Sequence, residues 1–113
     1  MSQLRGYLGA EMSPTQRSLK HLREQGYRVA IVEHWNPHAR IRQDLFGVID
    51  LLCLRGAETL AVQTTSRGNV SARVKKITDS DALPDIRKAG WKFVVHGWGK
   101  LKAGWTLREV DLS

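Results

Sequence analysis

The run from Phe46 to Leu54 is apolar except at Asp50. That one charge constrains the fold more than any other feature of the chain. A continuous apolar run suits a strand covered on both faces, where an unpartnered carboxylate costs several kcal/mol. Asp50 therefore needs a partner or a cation. Thirteen residues later, Gln63 stands within Val62-Gln63-Thr64-Thr65-Ser66, after a turn at Arg55-Gly56-Ala57-Glu58. Two neighbouring strands of this kind bring a carboxylate beside a side-chain amide. A pair of oxygen ligands on adjacent strands is a minimal scaffold for holding a divalent cation against a phosphodiester.

The remaining elements follow from caps, breakers and periodicity. Ser13-Pro14 opens a helix, with Ser13 as N-cap and proline in the first turn, and Gly26 stops it. Tyr27 to Val32 reads as a strand, broken at Asn36-Pro37 and followed by a basic loop through Arg42. Phe46 to Leu54 and Thr59 to Thr65 form the next two strands. A helix runs from about Val70 to Ile77, is interrupted at Asp79 to Asp81, and resumes from Ala82 to Lys88. Gly90 ends it. Trp91 to Trp98 and Trp105 to Leu112 are the final strands, joined by a turn from Gly99 to Gly104. Residues 1–12 form a loose lead-in and residues 13–113 a single domain. The expected class is α/β, a mixed central sheet flanked by helices.

Charge narrows the partner. The 113 residues carry a formal net charge of +7, which favours a polyanion by counterion release, with nucleic acid first. The basic residues cluster as Arg40 with Arg42, then Arg67, Arg73, Lys75 and Lys76, then Lys100 with Lys102. Arg73 and Lys76, three apart, share a helix face, and the amides at that helix's start favour a phosphate. A membrane surface is the poorer alternative, and no apolar stretch is long enough to span a bilayer. The lone Cys53 needs no oxidising compartment and reads as a small core residue. The expected location is cytoplasmic.

The element order, with Arg42-Gln-Asp-Leu-Phe-Gly-Val-Ile-Asp50-Leu-Leu followed by Leu60-Ala-Val-Gln63-Thr-Thr-Ser66, resembles the PD-(D/E)xK, restriction-endonuclease-like nucleases. Within them it is most similar to Holliday-junction resolvase-like proteins and small phage nucleases. The helix ending Leu22-Arg-Glu-Gln-Gly26-Tyr27 belongs to the same likeness. The resemblance implies a restriction-endonuclease-like αβββαβ core with one extra C-terminal strand. It implies Mg²⁺ or Mn²⁺ held by Asp50 and Gln63, with the Thr64 carbonyl as a further ligand, and no small-molecule cofactor. DNA, branched or otherwise structured, is the implied substrate, in a bacterial or phage-infected cell. A homodimer pairing two sites is compatible with it.

Three positions depart from the family pattern. Gln63 adds no negative charge, Thr65 stands where a lysine is expected, and the first helix near Thr15 and Gln16 lacks an acid, with Glu11 the nearest. Asp44 restores a second carboxylate if its loop folds back. Glu33 is another source, though both acids also suit bland roles in a turn or an ion pair with Arg40 or Arg42. Lys75 or Lys76 supplies the missing amine from the following helix. In roles, Asp50, Gln63, Asp44 and Lys76 form the catalytic set, and the basic residues hold the strand. The alternative is a catalytically degenerate DNA- or RNA-binding protein on the same fold.

Other residues carry less. His34 and His38 straddle Asn36-Pro37, so their spacing does not argue for zinc. His21 is expected to face solvent and His96 to be a satisfied strand residue. Trp91 is expected in the core. Trp98 and Trp105, interleaved with Lys100 and Lys102, either stack a base or pack against each other across a hairpin.

Overall fold

The computed structural model describes residues 12–113; Glu11 and nearly all of the expected lead-in lie outside the described residues. Helix α1 (Pro14–Glu24) begins where the Ser13 hydroxyl accepts the Gln16 N–H at 3.1 Å, with proline in the first turn. Its end is a Schellman motif. Gly26 takes φ +91°, its N–H donates to the Arg23 carbonyl, and the Tyr27 N–H donates to the Leu22 carbonyl.

Five strands form one mixed sheet in the order β1 (Arg28–Ile31), β4 (Leu51–Arg55), β5 (Glu58–Ser66), β6 (Lys92–Leu101), β7 (Gly104–Asp111). Only β5 and β6 run parallel. Their crossover carries a 3₁₀ turn (Arg67–Asn69), α2 (Val70–Thr78) and α3 (Ala82–Lys88). The chain is thus α/β, a mixed sheet with three helices among the described residues.

Period-two alternation on the central strands feeds two cores. On one face Leu51, Cys53, Leu60, Val62 and Val94 pack with Leu22 of α1. On the other, Ala61, Phe93 and Val95 meet Val70 and Ile77 of α2 and Leu83 and Ile86 of α3. Both faces of β5 are therefore covered, as the apolar sequence requires. Cys53 is buried in the first core, and burial pushes its thiol up to about 12.

The structure differs from the sequence reading in three places. Phe46 to Leu54 is not one strand. Asp44 to Ile49 forms a tight reversal, with Phe46 at φ +55° and Gly47 at φ +77°, closed by Gly47 N–H to Asp44 carbonyl and Ile49 N–H to Leu45 carbonyl bonds. β4 starts only at Leu51. The basic loop is instead a separate two-stranded hairpin, β2 (His34–Asn36) with β3 (Ile41–Gln43). The last turn is tighter than expected. β6 runs to Leu101, so Gly99 and Lys100 lie in a strand.

Gly97 allows the crossover to sit close on β6. A Cβ there would lie 2.1 Å from Val70 Cγ2, so only glycine lets α2 start at this point on the sheet.

Candidate functional site

Three segments converge at one end of the sheet: the C-terminal end of β5, the N-terminus of α1 and the reversal before β4. They enclose a cleft of about 610 Å³ whose lining includes Thr15, Glu33, Asp44, Asp50, Thr64, Arg42, Arg73 and Lys76. Sequence separation is large, and the antiparallel β4–β5 register closes it by setting Leu51 opposite Val62.

Asp50 lies at the floor with 3% exposure. Its Oδ2 accepts the Thr64 N–H at 2.8 Å and the Thr64 hydroxyl at 3.2 Å. The reversal at Phe46-Gly47 folds Asp44 back, and Glu33 enters from the end of β1. Carboxylate oxygens of Glu33, Asp44 and Asp50 all lie within 4.8 Å of one another.

Crowding of this kind has an electrostatic consequence. Burial pushes the Asp50 carboxyl up to about 8, opposed by its bond from the Thr64 N–H. Asp44, by hydrogen bond and charge, and Glu33, by charge, push it further in the same upward direction. Near neutral pH the cluster thus holds a proton that three separate acids would have released.

Cations and dipoles offset the rest. Lys76 Nζ lies 3.7 Å from Asp44 Oδ2, and an Arg42 guanidinium nitrogen lies 3.5 Å from Glu33 Oε1. Both basic side chains are substantially exposed, so their heads stay open to solvent. Thr15, in the first turn of α1, hydrogen-bonds Glu33 Oε1 at 3.3 Å and meets the Thr64 hydroxyl at 2.8 Å. Carboxylates beside the positive end of a helix are favoured.

The expected site residues divide. Asp50, Asp44, Thr64 and Lys76 come together, with Arg42 and Arg73 on the rim. Thr64 faces Asp50 with its hydroxyl and N–H, where a carbonyl ligand was expected. Gln63 also departs from expectation. Its Nε2 donates to Asp44 Oδ2 at 3.2 Å and to the Val48 carbonyl at 2.9 Å, while Oε1 is buried without a partner among the described residues. The Val48 carbonyl fixes that orientation, since a reversed amide would set two acceptors together. Gln63 thus presents a donor to Asp44.

The remaining basic residues lie elsewhere. Lys75 pairs with Asp79 on the exposed side of α2 at 2.9 Å. Arg67 packs along β6 against Gly99. Arg40 sits in the β2–β3 turn at φ +55°, and Lys100 and Lys102 mark the end of the β6–β7 hairpin.

The sequence marks Thr15 only as a position without an acid. Its one signal was the Ser13-Pro14 cap, which fixes Thr15 in the first helical turn. His21 was expected in solvent but is half-buried, edge-on to His96 and Trp98. Trp98 and Trp105 do not pair. The register sets Trp98 opposite Leu107 and Trp105 opposite Lys100. Trp98 Nε1 donates to Ser18, and Arg17 covers the Trp105 ring at 3.6 Å. Trp91 is half-buried beside Phe46 rather than fully in the core.

No protein-family model matches the chain, and no match is found among curated proteins or solved structures.

Proposed function

We propose that the cleft is the centre of a divalent-metal-dependent endonuclease on a restriction-endonuclease-like core, acting on branched or otherwise structured DNA. The observation that carries this reading is the convergence of Glu33, Asp44 and Asp50 within 4.8 Å, beside Lys76 and under a basic rim. The donor set fits Mg²⁺ or Mn²⁺, since all three groups offer hard oxygen atoms. It fits electrostatically as well, because the raised Asp50 carboxyl marks negative charge that a cation would relieve.

Glu33, Asp44 and Asp50 would hold the ion. The chemistry it supplies there is acidification of a water and polarisation of the scissile phosphate. The chain's own groups do the rest. Thr64 fixes Asp50 through two hydrogen bonds to one oxygen, Oδ2. Thr15 steadies Glu33. Gln63 holds Asp44 through its amide nitrogen. The Lys76 ammonium stands where it can neutralise a phosphate oxygen or orient the attacking water, a role that Thr65 cannot fill. Arg42 and Arg73 hold the strand by charge, which makes binding salt-dependent.

The test is incubation of labelled duplex, single-stranded and four-way-junction DNA with the protein in Mg²⁺, Mn²⁺ or EDTA, alongside Asp50→Asn. Metal-dependent cleavage that disappears in the variant is expected. DNA binding without cleavage in either metal, unchanged by the substitution, would instead establish a binding protein that has lost hydrolysis.

A further inference from the structure

The β2–β3 hairpin stands at the cleft. Directly opposite residues of an antiparallel pair share a face, and Trp35 lies opposite Arg42. Arg42 lines the cleft and reaches Glu33 at 3.5 Å. The Trp35 indole therefore shares the hairpin face of Arg42, adjacent to the cleft without lining it.

Its environment separates it from the other tryptophans. Trp98 is hydrogen-bonded, Trp105 is covered by Arg17, and Trp91 has Phe46 as neighbour. Trp35 is 56% exposed, and among the described residues no aromatic ring or cation covers its face. The hairpin, His34 to Gln43, contains two arginines, two histidines and no acid. Its turn is held in shape by Asn36, whose side chain accepts the His38 and Ala39 N–H groups and donates to Gln43. A bare indole on an acid-free hairpin matches an occupant with both a flat π-face and a negative charge.

We infer that Trp35 is a stacking platform for an unpaired DNA base, with Arg42 on the adjoining phosphate. The inference rests on the nucleic-acid reading of the cleft and names its substrate class: DNA with an unpaired base next to the phosphate at the carboxylates. A base within continuous duplex is already stacked on both sides and gains nothing from the indole. Single strands, flaps and branch points offer a free face.

The experiment is fluorescence anisotropy in EDTA, so that no strand is cut, with labelled single strand, flapped duplex and fully paired duplex. Wild type, Trp35→Ala, Trp35→Phe and Arg73→Ala are compared. Trp35→Ala is expected to lose about ten-fold in affinity for the single strand and the flap, as one base–aromatic stack implies. It should leave the paired duplex within about two-fold and the melting temperature unchanged, because the side chain is exposed. Trp35→Phe should retain most of the affinity. In parallel, 2-aminopurine placed along the flap should be quenched by wild type at one position and not by Trp35→Ala.

Equal losses on all three DNAs, or none, would overturn the stacking role. If Arg73→Ala weakens every DNA while Trp35→Ala weakens none, only the hairpin inference falls. If the wild type binds none of the three, the nucleic-acid reading of the cleft falls with it.

Discussion

Two polar clusters lie side by side along the sheet, one sealed beneath α1 and one in the cleft at the sheet's end, and the two are built on opposite principles. On the α1 side, His96 is fully buried between the Ser18 hydroxyl at 2.9 Å and Glu109 at 3.0 Å, and Trp98 Nε1 also donates to Ser18. Both ring nitrogens are satisfied and Ser18 is inaccessible. Despite its serine, histidine and glutamate, this network has no open position for a substrate. The cleft is the reverse. Glu33, Asp44 and Asp50 crowd together, the buried Gln63 Oε1 behind them has no partner among the described residues, and the cleft opens to solvent between exposed cations. A satisfied network holds a fold together, whereas an electrostatically strained one marks a place where something else completes it.

Substitutions at the two clusters should therefore have opposite signs. The largest effect is expected at Asp50→Asn, with cleavage falling about a thousand-fold, which is the scale of several kcal/mol of lost charge stabilisation. The same change should raise the chelator-treated protein's stability at pH 8 by on the order of 2 kcal/mol, because asparagine still accepts the Thr64 N–H without a buried charge. Denaturant titration of both proteins in EDTA checks this. A less stable variant would mean that the acid cluster is structural.

His96→Ala is expected to cost about 3 kcal/mol of stability in the same titration, since it opens a cavity and removes one of the two partners of the buried Ser18 hydroxyl. No metal should recover that loss.

Gln63→Glu sharpens the contrast. It replaces the donor to Asp44 with a fourth acid, so it should destabilise the protein by about 2 kcal/mol in EDTA. Mn²⁺ should restore most of the loss, measured as the shift in melting temperature on metal addition. Equal losses with and without Mn²⁺ would remove Gln63 from the site.

The pH dependence of the two clusters should also diverge. Asp50, raised from 3.8 to about 8, keeps its proton in the folded state when the unfolded chain has released it. Its contribution to stability is therefore fully present below about pH 4 and lost as pH rises to about 8. For His96, burial holds the ring below its ordinary 6.5 and Glu109 opposes this. The unfolded chain then binds the extra proton, so stability falls as pH drops below about 6.5. The stability–pH curve of the wild type in EDTA should show both limbs, and Asp50→Asn and His96→Ala should each lose one.

The smallest effect is expected at Lys100→Ala. This exposed residue does not line the cleft, so DNA affinity should change by no more than about two-fold, with the salt slope reduced by about one phosphate contact or less.

Much of the fold was legible in the chain. The Ser13-Pro14 cap, the Gly26 stop, the alternation on β5 and β6, and the positions of α2 and α3 follow from local rules that tertiary packing did not override. The hairpin at His34–Gln43 was hidden by Pro37 and by strands of three residues each, too short for a period-two signal. The reversal at Asp44–Ile49 was hidden by its own apolar residues, which read as a continuation of the strand. Asp50 announced itself, because a lone charge in an apolar run must be compensated wherever the run is buried.

What compensates it was decided elsewhere. Sequence determined that one acid would be buried, that basic residues would flank it, and that strands would carry both sides of a core. Only the tertiary structure decided that Asp44 folds back, that Glu33 arrives from β1, that Lys76 comes beside Asp44, and that Gln63 turns its nitrogen inward. Local propensity acts over a few residues and is written in them. The meeting of groups 6 to 32 positions apart depends on sheet register and turn geometry, which the whole chain sets together.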